Sequence, residues 1–112
     1  MAPLDEPGYD AEVSRAFKRI VAAADAADPD RLECDATADM ITLSSSSGEK
    51  VVVNTQRAVR QIWVAGGGEG IHFSWDEAAG AWRDDKGRGL ELLSFVDGVV
   101  EGMSGERLGL VP

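Results

Sequence analysis

The sequence predicts an α+β domain in two layers: two helices packed on one face of an antiparallel sheet of five to six strands, in the order α-β-β-β-β-β-β-α. Three observations predict it. Apolar residues near the N-terminus recur at helical spacing, the middle of the chain alternates with the two-residue period of strands, and a helical period returns after Gly89. Helices at the two ends of a run of short strands fit one face of an antiparallel sheet and leave the other face to water. A chain of 112 residues is long enough for one core and too short for two, so residues 1–112 are read as one domain with its core at about 6–110.

The first helix is expected over roughly 6–27. Asp5-Glu6-Pro7 puts acidic groups at the positive end of the helix dipole and a proline in the first turn, where its missing N–H costs nothing. Tyr9, Val13, Ala16, Phe17, Ile20 and Ala24 form one apolar stripe, with Asp10, Glu12, Ser14, Arg15, Lys18 and Arg19 opposite. Asp28-Pro29-Asp30 ends the helix, because a residue preceding proline avoids helical dihedrals. Leu32, Cys34 and Ala36 then alternate with Glu33 and Asp35, so the first three are expected to face the core.

Thr37-Ala38-Asp39 is a turn, Met40 to Ser44 a second strand, and Ser45 to Gly48 a hairpin loop feeding a third. Val51-Val52-Val53 is β-branched throughout and reads as a buried central strand running into Asn54. Gln61-Ile62-Trp63-Val64 alternates, so with Ile62 and Val64 turned inward Trp63 points outward on the side of Gln61, near Asn54 and Gln56. Such a tryptophan is either a contact residue, since indoles dominate binding hot spots, or a second-face packing residue covered by a loop. Ala65-Gly66-Gly67-Gly68-Glu69-Gly70 lacks the Lys-Ser/Thr and following helix of a phosphate loop and reads as a flexible hairpin tip. Ile71, Phe73 and Trp75 face one way, His72 and Ser74 the other. After the short strand Ala81-Trp82-Arg83, a second helix built on Leu92, Leu93, Val96, Val99 and Val100 is expected to end near Gly102, and Glu106 to Val111 to lie as a tail against the domain.

Eleven basic residues against twenty acidic ones give a net charge of −9. That field repels nucleic acid and anionic membranes and attracts cations or basic protein surfaces. Cys34 is the only cysteine, so neither an intrachain disulfide nor a thiolate zinc cluster is available, and a reducing compartment is expected. The start of the sequence carries no basic and apolar leader pattern, and no apolar run is long enough to span a bilayer; a cytoplasmic protein is expected. Nothing marks an enzyme: no Ser or Cys has a His at motif spacing, and Cys34 alternates onto the inner face, where a thiol is inert.

Two further sets of residues carry chemistry. If the end of the first helix lies beside the edge strand, Asp25, Asp28, Asp30, Glu33, Asp35 and Asp39 collect at one end of the domain. Hard carboxylate oxygens of that kind either hold divalent cations weakly, ferrous iron among them, or form a solvated acidic edge. His72, the only histidine, is either an added metal contact or a plain surface residue.

The order Asn54-Thr55-Gln56, a short connector, Gln61-Ile62-Trp63-Val64, a Gly-rich turn, an aromatic strand ending in Phe73-Ser74-Trp75 and then Trp82 resembles the frataxin family in its bacterial form. Tyr9 with Ile20 on a helical face, and Cys34-Asp35 ahead of Met40-Ile41-Thr42-Leu43, extend the resemblance over roughly residues 6–110. The resemblance implies the same two-layer architecture and a monomer serving iron–sulfur cluster assembly as an iron-binding regulator or iron donor, with no organic cofactor. It implies weakly bound Fe²⁺ or Fe³⁺ on the acidic ridge, with a histidine before Phe on the fifth strand. It also implies docking onto a cysteine desulfurase and an iron–sulfur scaffold protein through Asn54, Gln56, Gln61 and Trp63. Two departures stand out. Val21-Ala22-Ala23-Ala24, with Lys18 and Arg19 nearby, occupies the stretch where bacterial frataxins carry consecutive carboxylates, so few and weak iron sites are expected. Thr55 replaces the basic residue common between Asn and Gln, leaving Arg57 and Arg60 as its possible substitutes. Beside this reading stand a protein-interaction module unrelated to iron and a weak ferroxidase or iron-storage activity.

Overall fold

A computed structural model of the protein describes residues 5–110. Its elements are α1 (Glu6–Asp25), β1 (Leu32–Ala36), β2 (Met40–Ser45), β3 (Lys50–Gln56), a 3-10 turn (Arg57–Val59), β4 (Gln61–Gly66), β5 (Glu69–Asp76), β6 (Ala81–Asp84) and α2 (Leu92–Ser104). The six strands form one antiparallel meander in sequence order, β1-β2-β3-β4-β5-β6. Each connection is a local hairpin, so no crossover is needed and both helices are free to share one face.

That inner face is Leu32, Ile41, Leu43, Val51, Val53, Ile62, Val64, Ile71, Phe73 and Trp82, all buried. Tyr9, Val13, Phe17 and Ile20 of α1 and Leu92, Val96 and Val100 of α2 complete the same core. The helices are expected where they occur, with differences at the ends. Asp5 caps α1 by accepting the Gly8 N–H at 2.8 Å, and α1 closes at Asp25, two residues before the expected end. Helix α2 runs through Gly98 and Gly102 and ends at Gly105, whose φ of 76° supplies the left-handed cap. Core contacts of Val96 and Val100 outweigh the low helix propensity of two exposed glycines, each costing about 1 kcal/mol relative to alanine.

Ala36, expected in the core, is exposed at the end of the edge strand, and Cys34 is only half-buried. Edge strands have a neighbour on one side alone, so their inner-face residues lose cover toward the strand end. The glycine run is a tight two-residue turn: Gly67 and Gly68 have φ of 62° and 79°, the backbone that joins adjacent antiparallel strands without splaying them. The tail is held down as far as it is described. Leu108 and Leu110 are buried, their N–H groups donate to the Asp97 carboxylate at 3.1 and 3.3 Å, and Arg19 donates to the Leu110 carbonyl at 2.9 Å. Val111 lies outside the described residues.

Candidate functional site

Antiparallel register decides which outward side chains become neighbours. One cross-strand row runs Met40, Asn54, Trp63, His72 from β2 to β5. The next runs Gln56, Gln61, Ser74, Arg83 from β3 to β6. All four amide and indole residues singled out from the sequence, Asn54, Gln56, Gln61 and Trp63, therefore sit in one block of the outer face. No described element covers that face, and Trp63 is half-buried by its neighbours alone.

The indole of Trp63 is fixed on two sides. Its ring stacks on His72 with centroids 4.0 Å apart and planes 8° from parallel, and its Nε1 donates to Gln61 Oε1 at 2.8 Å. Gln61 in turn donates from Nε2 to Ser74 Oγ at 3.0 Å and to Asp85 Oδ2 at 3.2 Å, and the His72 Nδ1 lies 3.6 Å from the same Asp85 oxygen. A wide planar surface is thus presented in a set orientation, which lowers the side-chain entropy lost when a partner covers it. Beside the Trp63–His72 wall the adjoining row is small, Val52, Ala65 and Gly70, and together they outline a shallow hollow of about 200 Å³.

The sequence leaves His72 as either an added metal contact beside the acidic ridge or a plain surface residue. It lies in the sheet-face block, four strands from β1, and roughly 19 Å of sheet separates it from Glu33 and Asp35. The carboxylates themselves divide into groups. Glu33 and Asp35 alternate onto the outer face of β1, where Asp35 pairs across to Thr42. Asp28 is committed to its own turn, its Oδ1 accepting the Asp30 N–H at 2.9 Å and its Oδ2 lying 3.9 Å from Arg31 Nε. Asp25 borders a hollow with Glu33, Cys34 and Asp35. Asp39 lies apart from all of these, at the opposite end of α1: Arg57 donates to it from Nη2 at 2.7 Å and Nε at 3.0 Å and pairs with Asp10 through Nη1. Asp10 and Asp25 are roughly 22 Å apart along the helix axis. Among the described residues no group of three or more His, Cys, Asp or Glu side chains is arranged to hold a metal ion. The single end expected from sequence is prevented by chain direction, because α1 and β1 run in opposite senses.

Hydrogen bonds from Arg57 and from the Thr55 hydroxyl hold the Asp39 carboxyl below the usual carboxylate range. Arg57 is held by this pairing and overlies the Tyr9 ring, its Cζ 5.8 Å from the centroid, so it lies on the helix side of the sheet and not on the outer face. Thr55 is no member of that face either; it opposes Ile62 and donates to Asp39 at 2.9 Å. Burial pushes the Cys34 thiol up, with the charges of Asp25 and Asp35 adding to it, which suits an inert side chain. Trp82 is buried and packs edge-on against Tyr9 and Trp75.

Sequence reasoning missed Met40, Val59 and Asp85. Met40 and Val59 are the large apolar side chains left exposed among the described residues, 44% and 57%. Met40 stands in the Asn54–Trp63–His72 row and Val59 in the connector between Gln56 and Gln61. Their position, invisible locally, appears once the register is known. Asp85 lies in a turn and gives no local signal.

The chain matches the family model described as a frataxin-like domain over residues 2–105. It is 33% identical to the iron-sulfur cluster assembly protein CyaY of Tolumonas auensis over 102 residues, 91% of this chain and 94% of that protein. It is 36% identical to the protein of the same name from Cupriavidus metallidurans over 114 residues, 98% of this chain and 99% of that one. The fold matches a solved frataxin structure from Psychromonas ingrahamii with a TM-score of 0.84 at 21% identity, covering 97% of this chain and all of the other.

Proposed function

The chain belongs to the frataxin family, and on that premise we propose that it serves iron–sulfur cluster assembly as a docking protein, through the outer sheet face. The observation that carries the reading is the Trp63 indole locked between the His72 ring and the Gln61 amide on an uncovered face. Aromatic side chains pre-set in this way contribute most of the energy of many interfaces. Asn54 and Gln56, half-buried on the same block, offer donors and acceptors to a partner's backbone. The partners the reading requires are the cysteine desulfurase and the iron–sulfur scaffold protein. The protein's own part is binding that modulates or supplies assembly, with no bond made or broken by its side chains. Iron enters only as loosely held cargo on exposed carboxylates such as Glu33 and Asp35; the described carboxylates form no cage, and no step is derived through the metal. A bacterial cytoplasm is the compartment this reading requires.

The test is binding of the purified protein to the desulfurase–scaffold complex of the same organism, wild type beside Trp63→Ala, with folding checked by circular dichroism. Loss of about 2 kcal/mol or more with the fold intact supports docking through this face. Unchanged binding by the variant overturns it. Ferrous-iron titration checks the cargo reading: few weak sites are expected, and a tight stoichiometric site refutes it.

A further inference from the structure

We infer that Tyr9 is a positioning residue for the sheet-face block: from the opposite side of the sheet its hydroxyl fixes Gln61, and through Gln61 the orientation of the Trp63 indole. The inference rests on the docking reading only for its functional consequence; the positioning itself can be measured without a partner.

Tyr9 is buried at 2% exposure on the inner side of α1. Its hydroxyl donates to the Gln61 backbone carbonyl at 2.6 Å. Burial pushes the phenol up, while a backbone hydrogen bond from Gln56 and the charge of Arg57 act the other way. Gln61 pairs with Gln56 across the strands, so the hydroxyl bonded to it stands at the neck of the β3–β4 connector that these two glutamines begin and end. That connector has little to define it locally: three residues of 3-10 turn, then Arg60 with φ 52°, a left-handed backbone that disfavours any residue with a Cβ. Tertiary contacts must set its geometry: Arg57 is tied to Asp39 and Asp10 at its start, and the Tyr9 hydroxyl holds its end at Gln61.

The phenol itself cannot swing. Trp82 packs edge-on against its ring, centroids 5.9 Å apart, and Arg57, anchored by Asp10 and Asp39, covers it. Gln61 then transmits the restraint. Its carbonyl is held from the inner side, and its side chain reaches Ser74, Asp85 and the Trp63 Nε1 on the outer side. A frayed first residue of β4 would release that amide and with it the indole.

Tyr9→Phe keeps the ring and removes only the O–H. Its effect is read in the indole N–H resonance of Trp63, assigned by its loss in Trp63→Phe. Val13→Ala, at another buried α1 position with no polar side-chain atom to bond Gln61, serves as a control for simple loss of stability. The Trp63 resonance is expected to shift in Tyr9→Phe and to stay in Val13→Ala, and affinity for the desulfurase–scaffold complex to fall about threefold to tenfold. A Trp63 resonance in Tyr9→Phe that matches wild type, or moves no more than in Val13→Ala, overturns the inference. If Tyr9→Phe does not fold, the wild-type chain grown on 3-fluorotyrosine carries one fluorine label, since Tyr9 is its only tyrosine. The ¹⁹F signal is then expected to respond to Trp63→Phe, and an unchanged signal overturns the inference. Wild-type docking by Trp63→Ala removes the docking reading instead, leaving the resonances to decide the positioning.

Discussion

Ile62 and Trp63 are consecutive residues of one strand, and substituting each by alanine should damage different properties. Ile62 is fully buried beneath the helices. Truncating it leaves a cavity beside its cross-strand partners Thr55 and Phe73, at a cost of about 2–5 kcal/mol. For a domain of this length that corresponds to a fall in Tm of roughly 8–20 °C. Trp63 loses one ring stack, about 0.5–1.5 kcal/mol, and one hydrogen bond at the edge of solvent, so its stability cost is about 1–2 kcal/mol. Docking should reverse the order. At a temperature where both variants are folded, Trp63→Ala should lose about 30-fold or more in affinity for the desulfurase–scaffold complex and Ile62→Ala little. Urea unfolding followed by circular dichroism gives the stability arm, and titration calorimetry the binding arm. If Trp63→Ala costs more stability than Ile62→Ala, or if folded Ile62→Ala loses binding as badly as Trp63→Ala, the two faces of β4 are not separated as argued.

Other outcomes follow from particular contacts. Gly66→Ala would put a Cβ 2.7 Å from Val51 Cγ2 and 3.2 Å from Val99 Cγ1; overpacking of this kind costs about 1–3 kcal/mol, and combining it with Val51→Ala should cost less than the sum, an additive result in urea unfolding refuting the clash. Asp84 is buried and its carboxyl is held below the usual range by the N–H groups of Arg88, Leu90 and Lys86. A carboxyl so depressed contributes stability above the unfolded-state value near about 4 and loses it as pH falls through the folded-state value. Asp84→Asn should therefore lower Tm at pH 7 with the gap from wild type closing toward pH 3, and a gap independent of pH in scanning calorimetry refutes this. The raised Cys34 thiol should alkylate more slowly with iodoacetamide at pH 8 than the same thiol in urea, and Asp35→Asn should speed it; equal rates in the folded and unfolded chain refute the assignment.

The local periods of the chain were enough for the two-layer class, the six strands and the inward turn of Leu32, Ile62 and Val64, because alternation and helical spacing are properties of neighbours in sequence; the unbroken run Val51-Val52-Val53 carries no alternation, and Val52 lies half-buried on the outer face. They also put Trp63, Asn54, Gln56 and Gln61 on one face, since a two-residue period fixes the side of every residue once one is known. Ends were harder: the cap of α2 at Gly105 rather than Gly102 depended on core contacts made by Val96 and Val100, and Ala36 lost its cover because β1 is an edge. Which residues become neighbours was decided by tertiary structure alone. Register joined Met40 and His72 to the Trp63 row, and the opposed directions of α1 and β1 split the carboxylates, sending Asp39 to Arg57 and Asp10. Tyr9, read from the sequence as one more apolar position on a helix, reaches Gln61 across fifty-two residues of chain. Contacts over such separations are set by how the layers pack, and no local pattern carries them.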